Sequence, residues 1–276
     1  MANDPRTPIL RFEHVSVSFD DEKVLDDVSF SAYESESRVI LGAAGSGKTV
    51  LLKTALGLIR PTSGKVFAFG QDLSRLRERQ LFDIRSRIGM LFQEGALFDS
   101  LNIEENVAYP LVNQKCIHCP PEEVHPRVVE ALEFVELGGT LEKFPSELSG
   151  GMRRRAAIAR AVVTGPPLTL YDSPTAGLDP ITAHTIIALL IKERDVAHTT
   201  TLLATHRYQD GNLIANFRYN SERGSLEPAG NGADTRARTT FMVMREGRLA
   251  FEGDQDQLED QTDRYITKFV KRRMRN

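Results

Sequence analysis

The stretch Gly42-Ala43-Ala44-Gly45-Ser46-Gly47-Lys48-Thr49 fits the pattern G-x-x-x-x-G-K-[ST] and decides the fold. An apolar run at residues 39–41 precedes it, and residues 50–56 follow with the composition of a helix. Strand, glycine-rich turn and helix together predict a phosphate-binding loop, because the glycines let successive N–H groups point into one concavity. The positive end of the helix dipole strengthens this anion site. We expect Lys48 to contact the β and γ phosphates of a nucleotide and the Thr49 hydroxyl to bind Mg²⁺.

The composition is that of an ordinary globular protein. With 276 residues, 41% hydrophobic and 26% charged, the chain can form one large domain or a domain with a subdomain. A net charge of −3 gives no overall attraction to nucleic acid, and we expect no nucleic-acid partner. No apolar run approaches the roughly 20 residues that span a bilayer, and the N-terminus lacks the pattern of a signal peptide. We therefore expect a cytoplasmic protein that only a partner holds at a membrane.

The two cysteines, Cys116 and Cys119, form a single C-x-x-C pattern with a histidine between them. One such pattern is a weak signal for a metal or redox site. We interpret the pair as free thiols on an exposed loop, which suits a reducing compartment.

Hydrophobic patterns around the loop predict the rest of the fold. Apolar residues alternate with polar ones from Ile9 to Phe19 and again from Val24 to Phe30, which predicts two antiparallel strands. Apolar runs at residues 88–92, 168–172 and 200–204 predict buried strands with helical patterns between them. This order favours an α/β protein with a mainly parallel sheet and the phosphate loop at a strand's carboxyl end. Adenylate-kinase-like proteins, GTPases and ATPases all remain open at this point.

We predict a single domain over residues 1–276. Within it we expect a core with an N-terminal β-layer (9–95 and 164–253), a helical subdomain (96–163), a flexible loop (225–237) and a helical C-terminal tail (254–276). The loop is predicted because it contains almost no large apolar residue. Three arginines at positions 153–155 form the first turn of a predicted helix, where cations oppose the dipole, so we expect this turn to be presented to an anion.

Further motifs follow the loop in a fixed order. They are Gln93 after an apolar strand, residues 148–152 (Leu-Ser-Gly-Gly-Met), residues 168–179 (Leu-Thr-Leu-Tyr-Asp-Ser-Pro-Thr-Ala-Gly-Leu-Asp) and Thr205-His206. In this order the chain resembles the ATP-binding-cassette (ABC) ATPases from about residue 9 to residue 253. The resemblance implies the ABC variant of the P-loop NTPase fold. It also implies ATP and Mg²⁺ as ligands and a second ATP-binding subunit as partner.

The resemblance assigns one set of residues to the nucleotide held by the chain itself. Phe19 would stack on adenine, and the phosphate loop together with Val50 would bind ATP. Gln93 would sense Mg²⁺ and the coupled membrane subunit. Asp172 would be the carboxylate that binds Mg²⁺.

A second set would act across a head-to-tail dimer. Ser149, Gly150 and Gly151 form the signature motif, which would close on the γ-phosphate of ATP held by the other subunit. A glycine pair at a helix N-terminus suits this role because it is itself an anion site. Asp179 would lie at the dimer interface, and His206 would contact the γ-phosphate.

Two stretches resemble the ATPases of Mla/Mce-type lipid transport systems. They are residues 88–101, continuing to 105–111, and residues 148–161, where Met152 replaces the usual signature glutamine. The resemblance implies movement of phospholipid or another lipid between membranes. The partners would be an integral membrane permease and a lipid-binding substrate protein, and the ATPase would lie on the cytoplasmic face of the inner or plasma membrane.

Other classes of function stay open beside lipid transport. The chain could be a regulatory subunit paired with a second ATPase, or a non-transport ABC ATPase that acts as a regulatory or DNA-repair clamp. Clamps of that kind usually have two cassettes or a long coiled-coil insertion, and this chain has neither. A soluble nucleotide kinase would not need the signature motif or Thr205-His206.

Ser173 departs from the family pattern. Most members have a glutamate there that holds the attacking water as general base, and losing such a base typically costs about 10²–10⁴ in rate. Because electrostatic contacts provide most of the catalysis in phosphoryl transfer, we expect tight ATP binding and slow hydrolysis. Three explanations stay open: a second ATPase supplies the glutamate at one site, His206 and substrate-assisted proton transfer support hydrolysis, or Glu94 supplies the carboxylate.

Overall fold

The computed structural model describes residues 7–20, 22–114, 116–230 and 239–270. The strands in these ranges are β1 (Leu10–Phe19), β2 (Glu22–Ala32), β3 (Ser37–Gly42), β4 (Ser63–Ala68), β5 (Gln71–Asp72), β6 (Ile88–Leu91), β7 (Leu168–Asp172), β8 (Thr200–Thr205), β9 (Phe217–Asn220), β10 (Ser225–Pro228), β11 (Thr239–Arg245) and β12 (Arg248–Gly253). The helices are α1 (Lys48–Ala55), α2 (Glu78–Arg85), α3 (Ile103–Asn113), α4 (Pro121–Phe134), α5 (Gly150–Val162), α6 (Pro180–Ala197), α7 (Tyr208–Asn216), α8 (Gln255–Glu259) and α9 (Arg264–Val270). Short 3₁₀ helices lie at Leu73–Arg75, Gly138–Thr140 and Pro145–Glu147.

Two sheets dominate the architecture. A six-stranded sheet has the order β12-β11-β3-β8-β7-β6, and its neighbours are parallel except for the pair of β11 and β12. A four-stranded antiparallel sheet has the order β2-β1-β4-β5. The predicted fold class, a mainly parallel α/β sheet with an N-terminal antiparallel layer, is confirmed.

Both faces of the parallel sheet are buried. In β3, Ile40 packs into the core that the two sheets share with α1, whereas Val39 and Leu41 face the opposite side, against α7, α8 and α9. Side chains of β7 and β8 also point alternately to the two faces of the sheet. One face packs into the core shared with α1, and the other is covered by helices α3 to α7. Because both faces are apolar, these strands read as continuous apolar runs. Their carboxyl ends meet at one edge of the sheet, where the phosphate loop lies.

A buried amide holds the loop before α3. The side-chain oxygen of Asn106 accepts the N–H of Phe98 at 2.8 Å. Its amide nitrogen donates to the carbonyl oxygens of Phe98, Leu101 and Asn102 at 3.0, 2.9 and 2.9 Å. The side chain is fully buried, so these bonds replace all its contacts with water and fix the loop before α3.

The prediction of a flexible loop at residues 225–237 is wrong in its first part. Ser225–Pro228 form β10, which pairs antiparallel with β9. The chain before it is also regular, since α7 and β9 follow directly after residue 207. Residues 231–237 of the predicted loop lie outside the described residues.

Contacts from α6 explain this hairpin. The Arg194 guanidinium is buried and donates to the carbonyl oxygen of Phe217 at 2.8 Å. The Asp195 carboxylate accepts the N–H of Tyr219 at 2.7 Å. These bonds join residues far apart in the sequence, so the local composition could not indicate them.

The C-terminal tail contains the helices α8 and α9, and residues 271–276 of the predicted tail lie outside the described residues. Ile266 of α9 is buried against the sheet with Phe241. None of the helices in the described part of the chain has the length and apolar character needed to cross a membrane. Cys116 and Cys119 are both free, as predicted, and the Cys116 sulfur lies 2.7 Å from an Asp83 carboxylate oxygen.

Candidate functional site

The phosphate loop opens into a cavity of about 1580 Å³ at the carboxyl edge of the parallel sheet. Loops that follow β3, β6, β7 and β8 line it, together with β2 and the C-terminal helix α9. The lining residues are Val24, residues 43–50, Gln93, Ser173, Ala176, residues 206–209, Tyr265, Lys268 and Phe269. The structure therefore brings Lys48, Gln93, Ser173 and His206 to one cavity.

Glycine is required where the loop turns. Gly47 has φ of 98°, and a Cβ there would lie 2.8 Å from the carbonyl oxygen of Val24. A Cβ on Gly42 would lie 2.4 Å from the Ser46 hydroxyl oxygen. A larger residue at either position would force the loop apart, so the concavity depends on both glycines.

Lys48 lies inside the concavity. Its ammonium donates to the carbonyl oxygens of Gly42 and Ala43 at 2.9 and 2.8 Å and to the Ser46 hydroxyl at 3.3 Å. Burial lowers the pKa of this ammonium, and the negative charge of Asp172 opposes that shift. The loop thus holds a cation at the place where a polyphosphate would lie.

Two side-chain oxygen ligands suited to Mg²⁺ lie together beside the loop. The Thr49 hydroxyl, at the start of α1, donates to the Asp172 carboxylate at the end of β7 at 2.7 Å. Mg²⁺ prefers oxygen ligands and in nucleotide sites is held by one or two protein ligands and phosphate oxygens. The pair fits such an ion, and Gln93 lines the same cavity. The described ranges contain no cluster of three or more histidine, cysteine or acidic side chains that could hold a metal without phosphate.

Ser173 follows Asp172 in a left-handed conformation with φ of 50°. Its N–H donates to the Ala204 carbonyl oxygen at 2.8 Å, and its hydroxyl lies 3.3 Å from an Asp172 carboxylate oxygen. The side chain is 9% exposed and lines the cavity. A hydroxyl bonded to a carboxylate is a poor proton acceptor, so the position offers no general base at neutral pH.

The charge of the cavity favours an anion. Lys48, Arg207 and Lys268 line it beside His206. No carboxylate side chain is among the described residues of the lining. Converging cations raise the local concentration of anionic ligands, so the cavity suits a polyphosphate.

A buried carboxylate connects the loops after β7 and β8. Asp210, in α7, accepts the hydroxyls of Thr175 and Thr205 at 2.6 and 2.7 Å, and the Arg207 guanidinium lies 3.5 Å away. Burial raises the pKa of Asp210, whereas the two hydroxyls, Arg207 and His206 lower it. No local pattern in the sequence indicates this role of Asp210, because Thr175 lies 35 residues away along the chain.

The signature motif does not line the cavity of its own chain. Ser149 caps α5 by accepting the Met152 N–H at 3.3 Å. Asp179 caps α6, and hydrogen bonds from Thr182 hold its pKa below the usual range. A Cβ on Gly151 would lie 2.6 Å from the Thr182 methyl carbon. Thr182 therefore contacts both Gly151 and Asp179, so the signature motif and Asp179 form one surface.

The three arginines in the first turn of α5 are held by carbonyl oxygens of this chain, and the presentation of this turn to an anion stays a prediction. Each donates to a backbone carbonyl oxygen, Arg153 to Leu148, Arg154 to Gln93 and Arg155 to Val135. Burial lowers the pKa of Arg154, and Asp172 and Glu94 oppose the shift. The contact of Arg154 fixes the backbone at Gln93.

The aromatic residues of the cavity differ from the sequence expectation. Phe19 ends β1 with its side chain 47% exposed, and it is not among the lining residues, so its stacking on adenine stays a prediction. The Tyr265 hydroxyl of α9 accepts the Ala43 N–H at 3.2 Å and donates to the Met244 carbonyl oxygen at 3.0 Å. Sequence reasoning missed this contact because α9 is far from the loop along the chain.

Known proteins share both sequence and fold with the chain. The family model described as ABC transporter matches residues 25–176. The intermembrane phospholipid transport system ATP-binding protein MlaF of Haemophilus influenzae is 31% identical over 95% of this chain and 90% of its own length. The probable ribonucleotide transport ATP-binding protein mkl of Mycobacterium leprae is 37% identical over 75% of this chain. The methionine import ATP-binding protein MetN of Carboxydothermus hydrogenoformans is 40% identical over 67%.

The chain spans 60% of the length of the M. leprae relative and 54% of that of the methionine import protein. Among solved structures, a dimeric ATP-binding cassette bound to ADP and Pi in a post-hydrolysis state has a TM-score of 0.73 and 28% identity. The match covers 89% of this chain and 98% of that one. The protein cbiO1 of Clostridium perfringens, part of the ABC transporter complex cbiONQ, has a TM-score of 0.74 and 26% identity over 96% of this chain and 94% of its own.

Proposed function

The chain belongs to the ABC transporter family, and on that basis we propose that it is the ATP-binding subunit that drives lipid transport between membranes. One observation carries the choice of substrate class. The similarity to the phospholipid-system protein extends over 95% of this chain and 90% of that relative, whereas the methionine and ribonucleotide proteins match over smaller parts of their length. The transported molecule would be a phospholipid or a related lipid.

The cavity supports ATP with Mg²⁺ as the ligand. Lys48 supplies a cation inside the phosphate loop, and Thr49 with Asp172 supplies oxygen ligands for the metal ion. Arg207 and Lys268 add positive charge to a lining in which the described part of the chain places no carboxylate. The triphosphate of ATP carries the negative charge that these cations attract, and Mg²⁺ would be shared between its phosphates and the oxygens of Thr49 and Asp172.

The position of the signature motif supports a head-to-tail dimer. Ser149 and Gly151 lie outside the cavity of their own chain, on one surface with Asp179. A second cassette, placed so that its signature faces this phosphate loop, would complete the γ-phosphate site with the N-terminus of its α5. The similarity to a dimeric cassette bound to ADP and Pi agrees with this arrangement.

The partners follow from the transport role. An integral membrane permease would hold the chain at the cytoplasmic face of the membrane, and a lipid-binding protein would deliver or receive the lipid. We infer slow hydrolysis, because Ser173 has no carboxylate and its hydroxyl faces Asp172. Tight binding would persist, since the contacts of Lys48 and Thr49 do not depend on Ser173.

Ser173 also favours one alternative function. The chain could be a weakly hydrolysing or regulatory subunit that lends its intact signature motif, residues 149–151, to a second ATPase with its own base. In that case ATP alone would not dimerise the purified chain. A mixture with the second ATPase would form the dimer.

Purification from the native host tests the proposal. The full chain, tagged at its N-terminus, is isolated in detergent, and the associated membrane protein and bound lipids are identified by mass spectrometry. We expect a polytopic permease with phospholipid. A matched preparation without the tag provides the control. Isolation with an amino-acid permease and no enriched lipid would contradict lipid transport.

Light scattering tests the dimer separately. The wild-type chain with Mg²⁺ and ATP should double its mass, and Lys48→Ala should not, because it removes the cation inside the phosphate loop. A wild-type chain that binds ATP and stays monomeric alone, but dimerises with another ATPase of the host, would support the regulatory alternative.

A further inference from the structure

Arg207 lies at the point where the nucleotide and its metal ion are expected. It follows His206 directly after β8, and it is one of the residues that line the cavity of the phosphate loop. In the sheet, β8 stands between β3, which leads into that loop, and β7, which ends at Asp172. The Ser173 N–H bonds to Ala204 of β8, so the two loops are joined at their start.

The contact of Thr49 with Asp172 lies where the phosphate end of a bound nucleotide would be. These oxygens are the expected Mg²⁺ ligands, and Mg²⁺ in such sites bridges the β and γ phosphates. The loop that carries Arg207 is next to this contact in the sheet. Arg207 is therefore on the side of the cavity where the terminal phosphate would be.

A buried anchor holds the Arg207 side chain. Its Nε lies 3.5 Å from one carboxylate oxygen of Asp210, which is 1% exposed. The other oxygen of Asp210 accepts the hydroxyls of Thr175 and Thr205, so the carboxylate is fixed on both sides. The Arg207 N–H also donates to the Thr205 hydroxyl oxygen at 3.1 Å, which fixes the backbone.

The guanidinium remains available to an anion. Arg207 is 27% exposed, and its contact to Asp210 uses the Nε atom. Asp210 lies behind the cavity wall, and the described residues of the lining include no carboxylate that could neutralise the guanidinium. A planar guanidinium presents its terminal N–H groups to phosphate oxygens as strong, charge-assisted donors.

We propose that Arg207 binds the terminal phosphate of ATP and that Asp210 is its positioning residue. The inference rests on the proposed function, in which this cavity holds ATP. Arg207 would contact ATP but not ADP, because ADP lacks the phosphate on that side. The ratio of the two affinities therefore isolates its contribution.

The test measures ATP and ADP binding, each with Mg²⁺, by calorimetry on the full chain. We expect Arg207→Gln to lower the ratio of ATP to ADP affinity about tenfold, the effect of one charge-assisted bond to phosphate. Arg207→Lys should retain part of the ratio. The matched control is Arg218→Gln, since Arg218 also pairs with a carboxylate, Glu227, but lies outside the cavity lining. It should leave the ratio unchanged.

A double-mutant cycle tests the role of Asp210. Asp210→Asn keeps an acceptor for both threonine hydroxyls and removes the charge that holds Arg207. It should lower the same ratio several-fold in the wild-type background and have no effect in the Arg207→Gln background, because the group it positions is gone. A merely structural role would lower ATP and ADP affinity together in both backgrounds. The double variant Arg207→Gln with Asp210→Asn leaves no buried charge without a partner. If Arg207→Gln alone unfolds, the affinity ratio of this double variant still measures the contribution of Arg207.

The outcomes separate this inference from the proposed function. A wild-type chain that prefers ATP, with an unchanged ratio in folded Arg207→Gln, would overturn the role of Arg207 and leave the proposed function intact. A wild-type chain that binds neither nucleotide would overturn both.

Discussion

Replacing Ser173 by glutamate should restore a general base and raise the rate of ATP hydrolysis. The backbone at this residue has φ of 50°, a conformation that is equally unfavourable for serine and for glutamate, so the change adds no new backbone strain. The side chain faces a cavity of about 1580 Å³, which has room for two further carbon atoms and a carboxylate. The lining cations Lys48 and Arg207 favour the ionised carboxylate that a base requires.

The expected increase in kcat is about 10²-fold, the lower end of the range for a positioned base. The lower end applies because Asp172 is adjacent, and two neighbouring carboxylates disfavour ionisation of each other. This rate increase equals about 2.7 kcal/mol of transition-state stabilisation. ATP affinity should change much less, since the contacts of Lys48 and Thr49 remain.

The assay is phosphate release by the full chain purified with its permease, at saturating ATP and Mg²⁺. Ser173→Gln is the matched control, because glutamine has nearly the size of glutamate and cannot accept the proton. It should hydrolyse ATP as slowly as the wild type. No increase in Ser173→Glu, or an equal increase in both variants, would refute the reasoning that a missing base limits the rate.

Three other perturbations follow from the structure. Burial raises the pKa of the Glu193 carboxyl from 4.5 to about 7. The folded chain therefore binds the carboxyl proton more tightly than the unfolded chain, and the stability of the fold falls as the pH rises between those values. Glu193→Gln should reduce the drop in Tm between pH 5 and pH 8. Asn106→Leu removes the side-chain partner of the Phe98 N–H and the side-chain donor to the carbonyl oxygens of Phe98, Leu101 and Asn102, and should lower the free energy of unfolding by about 3 kcal/mol. Urea denaturation measures this change against the exposed control Asn113→Leu. Lys48→Ala should weaken ATP binding at least about 10²-fold in calorimetry, whereas Lys53→Ala, on the same helix outside the cavity lining, should not.

The sequence predicted those parts of the molecule that depend on local pattern. The phosphate loop needs glycine at fixed positions, since a Cβ on Gly47 would meet the Val24 carbonyl oxygen at 2.8 Å. The buried strands β3, β7 and β8 read as apolar runs because both faces of the sheet are covered. Both features leave a signal in a short stretch of residues, and for this reason the fold class was predictable.

Features that depend on distant contacts left no such signal. The Tyr265 hydroxyl meets Ala43 only because α9 folds back on the sheet, and β9 and β10 form a hairpin because Arg194 and Asp195 bind its backbone. The contacts of Arg154 and Arg155 at the start of α5 are of the same kind, because their carbonyl acceptors at Gln93 and Val135 lie in other segments of the chain.

The segment 173–182 connects the two halves of the proposed mechanism. Ser173 faces the nucleotide cavity, and Thr175 is fixed to the buried Asp210. At the other end, Asp179 caps α6, and Thr182 contacts Gly151 of the signature motif. A second cassette that docks on the signature surface would therefore lie beside the end of a segment whose start lines the cavity. Thr175, near the start of this segment, donates to the buried Asp210, which also accepts the Thr205 hydroxyl, so the backbone next to Ser173 is tied to β8 while the far end of the segment meets the signature motif.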